Sequence, residues 1–99
     1  MILVRDVFQA KYGKGGELVQ LFKEVRQAWG ADLPYGSRIL TDVSGPFFTV
    51  VVETRVESLA EWQQVAGRFT GPDFENWFGR MQGLVDSGKR EFYTIEAES

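Results

Sequence analysis

Ninety-nine residues, 43% of them hydrophobic and 25% charged, describe one folded domain over 1–99 rather than a disordered chain; a domain of this size buries roughly 64% of its unfolded surface. The chain contains neither cysteine nor histidine, which excludes disulfides, thiolate metal sites, a cysteine nucleophile, imidazole ligation of zinc, copper or haem, and a Ser-His-Asp triad. Its net charge is −3, and its closest basic pair, Lys89-Arg90, lies between Asp86 and Glu91; a nucleic acid partner would require a clustered basic surface.

Residues 2–11 alternate loosely. Ile2, Val4, Phe8 and Ala10 share one face, with Asp6 among them, while Leu3, Arg5, Val7, Gln9 and Lys11 share the other. Neither face is cleanly polar, as expected of a central strand covered on both sides. No apolar run approaches the ~20 residues of a membrane span. Met1-Ile2-Leu3-Val4 runs into Arg5-Asp6 too soon for a signal sequence, so a cytoplasmic protein with no membrane partner is expected.

Tyr12-Gly13-Lys14-Gly15-Gly16 reads as a loop. It matches no nucleotide-binding spacing, and its glycines suit a strand-to-helix turn. Leu18, Leu21, Phe22, Val25, Ala28 and Trp29 then follow the spacing of an amphipathic helix that Gly30 stops, with Asp32-Leu33-Pro34-Tyr35-Gly36 as the connection. A strand is expected from Arg38 to Ser44, a tight turn at Gly45-Pro46, and a long strand from Phe47 to Val56. Ser58 with Glu61 three residues later opens a second helix as a capping box, and Leu59, Trp62, Val65, Ala66 and Phe69 form its apolar stripe. Gly71-Pro72 breaks that helix; Phe74, Trp77, Phe78, Met81, Leu84 and Val85 give a further stripe ending near Gly88, before a last strand over Arg90 to Ala97. The order is βαββαβ, an α+β chain with a four-stranded antiparallel sheet and helices on one face.

On the long strand, Phe48, Val50, Val52 and Val56 should pack under the helices. Phe47, Thr49, Val51, Glu53 and Arg55 face away, leaving large apolar groups for something to cover. A second copy placed sheet against sheet would cover them and enclose Glu53 with Arg38 or Asp42 of the neighbouring strand, and such charges need partners or a polar ligand.

Four segments carry a family resemblance: Phe8-Gln9-Ala10-Lys11-Tyr12-Gly13-Lys14, Gly45-Pro46-Phe47-Phe48-Thr49-Val50-Val51-Val52-Glu53, Glu57-Ser58-Leu59-Ala60-Glu61-Trp62 and Arg90-Glu91-Phe92-Tyr93-Thr94-Ile95. Through them nearly the whole chain resembles the dimeric α/β-barrel (ferredoxin-like) superfamily, which includes NIPSNAP-like proteins and antibiotic-biosynthesis monooxygenases. The Gly-Pro hairpin and the Glu57–Glu61 segment look more NIPSNAP-like. The resemblance implies a ferredoxin-like domain that pairs into a dimeric α/β barrel. Some barrel monooxygenases oxidise polycyclic phenols without cofactor; for this chain, Arg38, Asn76, Trp77 and Tyr93 would be the groups available for that chemistry.

The candidate ligand-binding residues are Arg38, Asp42, Glu53, Trp77 and Tyr93. Asp42 and Glu53, on adjacent strands, would share a proton or a cation as a pair, or else form structural salt links with Arg38 and Arg55. Trp29, Trp62 and Trp77 lie on apolar stripes, where core packing competes with a flat-ligand wall. No cofactor, haem or metal is expected. Three functions stay open: a small-molecule-binding barrel protein taking an apolar or aromatic ligand, a cofactor-independent monooxygenase acting on an aromatic substrate, and an interaction module with a packed dimer interior.

Overall fold

The computed structural model describes residues 1–30 and 33–98. Asp32, expected in the connection after the first helix, lies outside them. The elements are β1 (Ile2–Ala10), α1 (Gly15–Trp29), β2 (Ser37–Thr41), β3 (Thr49–Val56), α2 (Leu59–Ala66), α3 (Pro72–Gln82) and β4 (Val85–Thr94). One antiparallel sheet runs in the order β2-β3-β1-β4, so β1 and β3 are the central strands. The element order and the helical break at Gly71-Pro72 are those expected from the sequence.

The helices cover one face. Leu18, Leu21 and Phe22 of α1, Trp77 and Met81 of α3, and Ala10 and Val50 beneath them form the main core. Val4, Val56 and Val65 form a second core under α2. In α2, the Ser58 side chain accepts the Glu61 N–H at 3.1 Å, the cap its spacing predicts, and Val65 faces the sheet. Leu59, expected on the buried stripe, is exposed instead, and Val65 is the buried residue of this short helix.

Several strand boundaries differ from the expected ones. The β2–β3 strands end sooner, at Thr41 and Thr49. Between them, Gly45 and Phe48 both adopt positive φ (98° and 60°), and the Asp42 Oδ1 takes the Thr49 N–H at 3.0 Å, so the turn is a broad, side-chain-closed loop. Phe47 consequently leaves the strand and is 69% exposed. The left-handed backbone at Phe48 turns its ring inward instead, where it stands edge-on to Tyr12 at 5.0 Å; a Cβ at Gly15 would approach the same ring to 3.1 Å.

The last strand begins five residues earlier than expected, at Val85, and ends at Thr94. Asp86-Ser87-Gly88 are weak strand formers. Their pairing is imposed by β1, whose backbone needs partners along its whole length; the register runs from Ile2–Thr94 to Ala10–Val85, with an irregularity between Gln9 and Ala10. Gly88 lies opposite Phe8, and a Cβ there would meet the Phe8 ring at 3.0 Å. Among the described residues no helix is long and apolar enough to cross a membrane.

Candidate functional site

Strand register sorts the candidate residues onto two sides of the sheet. On the face away from the helices, Arg38 of β2, Glu53 of β3, Arg5 of β1 and Glu91 of β4 lie in one row across all the strands. Glu53 is only 6% exposed. Its Oε1 accepts from Arg38 Nε at 2.7 Å and lies 2.6 Å from Arg38 Nη2, while its Oε2 lies 3.1 Å from Arg5 Nε. Arg5 also reaches towards Glu91, at 3.9 Å. Leu40, Val51, Val7 and Lys89 make the adjacent row. The apolar surface on this face is therefore a narrow stripe, flanked by charge, rather than the broad patch the strand pattern suggests.

The expected Asp42–Glu53 carboxylate pair does not form. Asp42 closes the β2–β3 loop, whereas Glu53 faces Arg38 four positions back along β2. Arg55, expected as a link for this pair, bonds Glu98 instead. Tyr93 stands on the same face but on the far edge strand, and its hydroxyl donates to Glu91 at 3.0 Å. That bond to a carboxylate raises the tyrosine pKa above its ordinary value. A cleft of about 400 Å³ on this face touches Arg38 and Glu53 together with Leu3, Tyr35 and Arg55. Asp42 and Tyr93 are not among its walls.

Trp77 lies on the opposite, helical side. It is 7% exposed, and its indole Nε1 donates to the Leu21 carbonyl at 2.7 Å, tying α3 to α1. Its ring stacks on Phe74, at 5.6 Å between centroids and 23° between planes, and approaches Phe22 at 5.6 Å. The core role and the wall role coincide here. Phe8, Phe22, Trp62, Phe69, Phe74 and Trp77 line a chamber of about 230 Å³ between helices and sheet.

Two charged groups enter this aromatic chamber, and neither was among the candidates from sequence. Asp6 projects from the middle of central β1, and Arg90 faces it from β4. Arg90 Nε and Nη2 donate to the two Asp6 carboxylate oxygens at 2.6 and 3.2 Å. The same guanidinium lies 4.9 Å from the centre of the Trp62 ring. A planar cation held between a carboxylate and an indole is fixed in orientation. A wider groove along β4, lined by Phe78, Gln82, Ser87 and Lys89, leads to this pair and shares Asp6, Phe8, Met81 and Arg90 with the chamber.

The two sites differ chemically. The charges of the outer face are largely neutralised by one another. The chamber is apolar with a few converging polar groups, the usual construction of a small-molecule site. Among the described residues no group of three or more carboxylates forms a cluster able to hold a metal ion.

No known protein family matches the chain by its sequence pattern, and no curated protein matches it in sequence. Solved structures do match. A NIPSNAP family protein from Agrobacterium tumefaciens superposes with a TM-score of 0.80 at 18% identity, covering 94% of this chain and 90% of that one. A NIPSNAP-like domain protein from Burkholderia xenovorans gives 0.84 at 16% identity, covering 99% and 87%. SnoaB, a cofactor-independent oxygenase from Streptomyces nogalater, gives 0.71 at 13% identity, covering 98% and 94%. The chain thus has the ferredoxin-like fold, and its structural neighbours are NIPSNAP-family and antibiotic-biosynthesis-monooxygenase-like proteins.

Proposed function

We propose that this protein binds a planar aromatic small molecule in the chamber between helices and sheet, with an acidic group of the ligand held by Arg90. Aromatic walls beside a half-exposed guanidinium that is already oriented by Asp6 and Trp62 carry this reading. Rings bury well against Phe74 and Trp77, and a phenolate or carboxylate can accept from Arg90 Nη1 and the Nη2 N–H that Asp6 leaves unused. Titration with 2-naphthoate and 2-naphthol, followed by quenching of tryptophan fluorescence, tests it directly. Saturable quenching, weakened about tenfold or more in Arg90→Gln, is the expected result; an absence of saturation with both probes overturns the reading.

A second reading is cofactor-independent oxygenation of the bound phenol. It is favoured by the shared fold with SnoaB together with the Asp6–Arg90 pair. A carboxylate beside a phenol accepts its proton, and a guanidinium stabilises the phenolate, the form that most readily gives an electron to dioxygen. Oxygen uptake with phenols and quinols separates the readings: consumption that requires protein and substrate supports oxygenation, and binding without consumption supports the first.

The proposal includes a homodimer closed sheet against sheet over the Leu40–Val51–Val7 stripe. The alternating charges beside that stripe give a copy of the same surface both signs to pair with. Light scattering should give twice the 11.2 kDa chain mass. Val7→Glu, whose new carboxylate would face Lys89 within the sheet, should yield a folded monomer. A wild-type mass of one chain at micromolar concentration overturns this part.

A further inference from the structure

The chamber does not stop at its aromatic walls. A narrow slot of about 60 Å³ continues from it towards β2, sharing Phe22, Val25, Val52, Thr54 and Phe69. Its own walls, not shared with the chamber, are Ile39, Leu33, Gly30, Arg26 and Ser37. Among these the Arg26 guanidinium donates to the Ser37 carbonyl at 2.9 Å. The slot is otherwise almost wholly apolar.

Strand register gives groove, chamber and slot a common axis. Arg90, Asp6, Val52 and Ile39 are successive partners on β4, β1, β3 and β2, one row on the helical face. The row is charged at the β4 end and aliphatic at the β2 end. It spans three inter-strand distances of about 4.8 Å, or about 14 Å in all. An occupant lying across the strands would meet a cation first, aromatic rings next and a narrow aliphatic slot last.

From this we infer that the ligand is an aromatic acid or phenol carrying a short unbranched alkyl substituent, with its acidic group at Arg90 and its alkyl end in the slot beside Ile39. The inference rests on the chamber being a ligand site, as proposed above. By volume the slot takes roughly two methylene-sized groups, if each needs about the 30 Å³ of a water molecule. The selectivity is therefore for length: a substituent that is too short leaves the slot empty, and one that is too long outgrows it.

The test is a homologous series, 4-alkylbenzoates from methyl to octyl, with 2-naphthoate as the ring-only reference. Affinity should rise about fourfold per added methylene while the slot fills, then level or fall at the longer members. Ile39→Trp fills the slot and should flatten the series while leaving 2-naphthoate binding unchanged. Ile39→Ala enlarges the slot and should move the optimum to a larger substituent; Ile39→Trp abolishes the preference and Ile39→Ala relaxes it, so one variant that folds poorly does not decide the outcome. If 2-naphthoate binds but the wild-type series is flat, or if neither variant moves the optimum, the inference is overturned and the chamber remains a ring site. If 2-naphthoate and the whole series fail to bind, the chamber reading itself falls with it.

Discussion

The two faces of the sheet solve opposite problems with the same strands. On the helical face, Arg90–Asp6–Val52–Ile39 grades from charged to aliphatic across the strands, leaving one ion pair at the margin of an apolar space. On the outer face, the row one residue along, Glu91–Arg5–Glu53–Arg38, alternates sign at every strand. Each inner charge of that row has an opposite charge on both sides, so little of it is left for a ligand. Charge alone therefore does not mark the site in this molecule. The informative charge is the pair placed where neighbouring side chains are aromatic.

Trp77→Ala should have the largest effect, because it removes a buried indole, its hydrogen bond to Leu21 and its stacking on Phe74. A loss of about 3–5 kcal/mol in denaturant unfolding is expected; a loss below about 1 kcal/mol would mean the helical layer repacks freely and the chamber is not a fixed cavity. Arg90→Gln and Arg38→Gln contrast the two faces more directly. The first should cost about tenfold or more in aromatic-acid affinity and the second nothing. Each takes a partner from a largely buried carboxylate, Asp6 or Glu53, so both should also lower the unfolding midpoint, and the affinities are compared where both variants are folded. Loss of binding in Arg38→Gln but not Arg90→Gln would move the site to the outer face.

Glu53→Gln keeps the shape and one acceptor but leaves Arg5 and Arg38 facing a neutral group. A loss of about 1–2 kcal/mol is expected, with no change in chamber affinity, since both arginines reach water. The smallest effect belongs to the Glu24–Arg80 pair joining α1 to α3 at 2.8 and 3.0 Å. Its hydrogen bond to Arg80 lowers the Glu24 pKa from the ordinary 4.5. The stabilisation is thus present above that value and lost as pH falls through the lower folded one. Both side chains are exposed, so Glu24→Gln should only slightly lower the unfolding temperature at neutral pH and leave it unchanged below the folded pKa, which flattens the acid dependence a little.

Local signals account for what was legible beforehand. The Ser58 cap and the break at Gly71-Pro72 are short-range chemistry and appear where the sequence places them; the helical stripes do so in part, with Leu59 and Phe78 exposed and Leu84 and Val85 beyond the end of α3. The charged Asp6 among the apolar residues of β1 was visible as an anomaly. Its partner was not, because Arg90 lies 84 residues away and only the β1–β4 register brings them together. The early start of β4 was hidden for a related reason: Asp86-Ser87-Gly88 pair because β1 requires it. Asp42 and Glu53 belong to neighbouring segments, but the register that sets Glu53 opposite Arg38 sets Asp42 opposite Thr49, so adjacency in the sheet does not make them a pair. Fold was largely written in local pattern, whereas the site depended on register.

The alternating outer row also bears on how the sheet finds its pairing. A one-residue slip is punished at once, because it turns every apolar side chain to the wrong face. A two-residue slip keeps the faces correct and needs a different penalty. If β3 slides two positions one way, its Arg55 comes opposite Arg5 on one side and Arg38 on the other, in place of Glu53 on both. Slid the other way, Val51 takes that place and Glu53 faces Leu3 across β1. Glu53 thus serves as a proofreading mark, rejecting the misaligned sheets that hydrophobic patterning alone would accept.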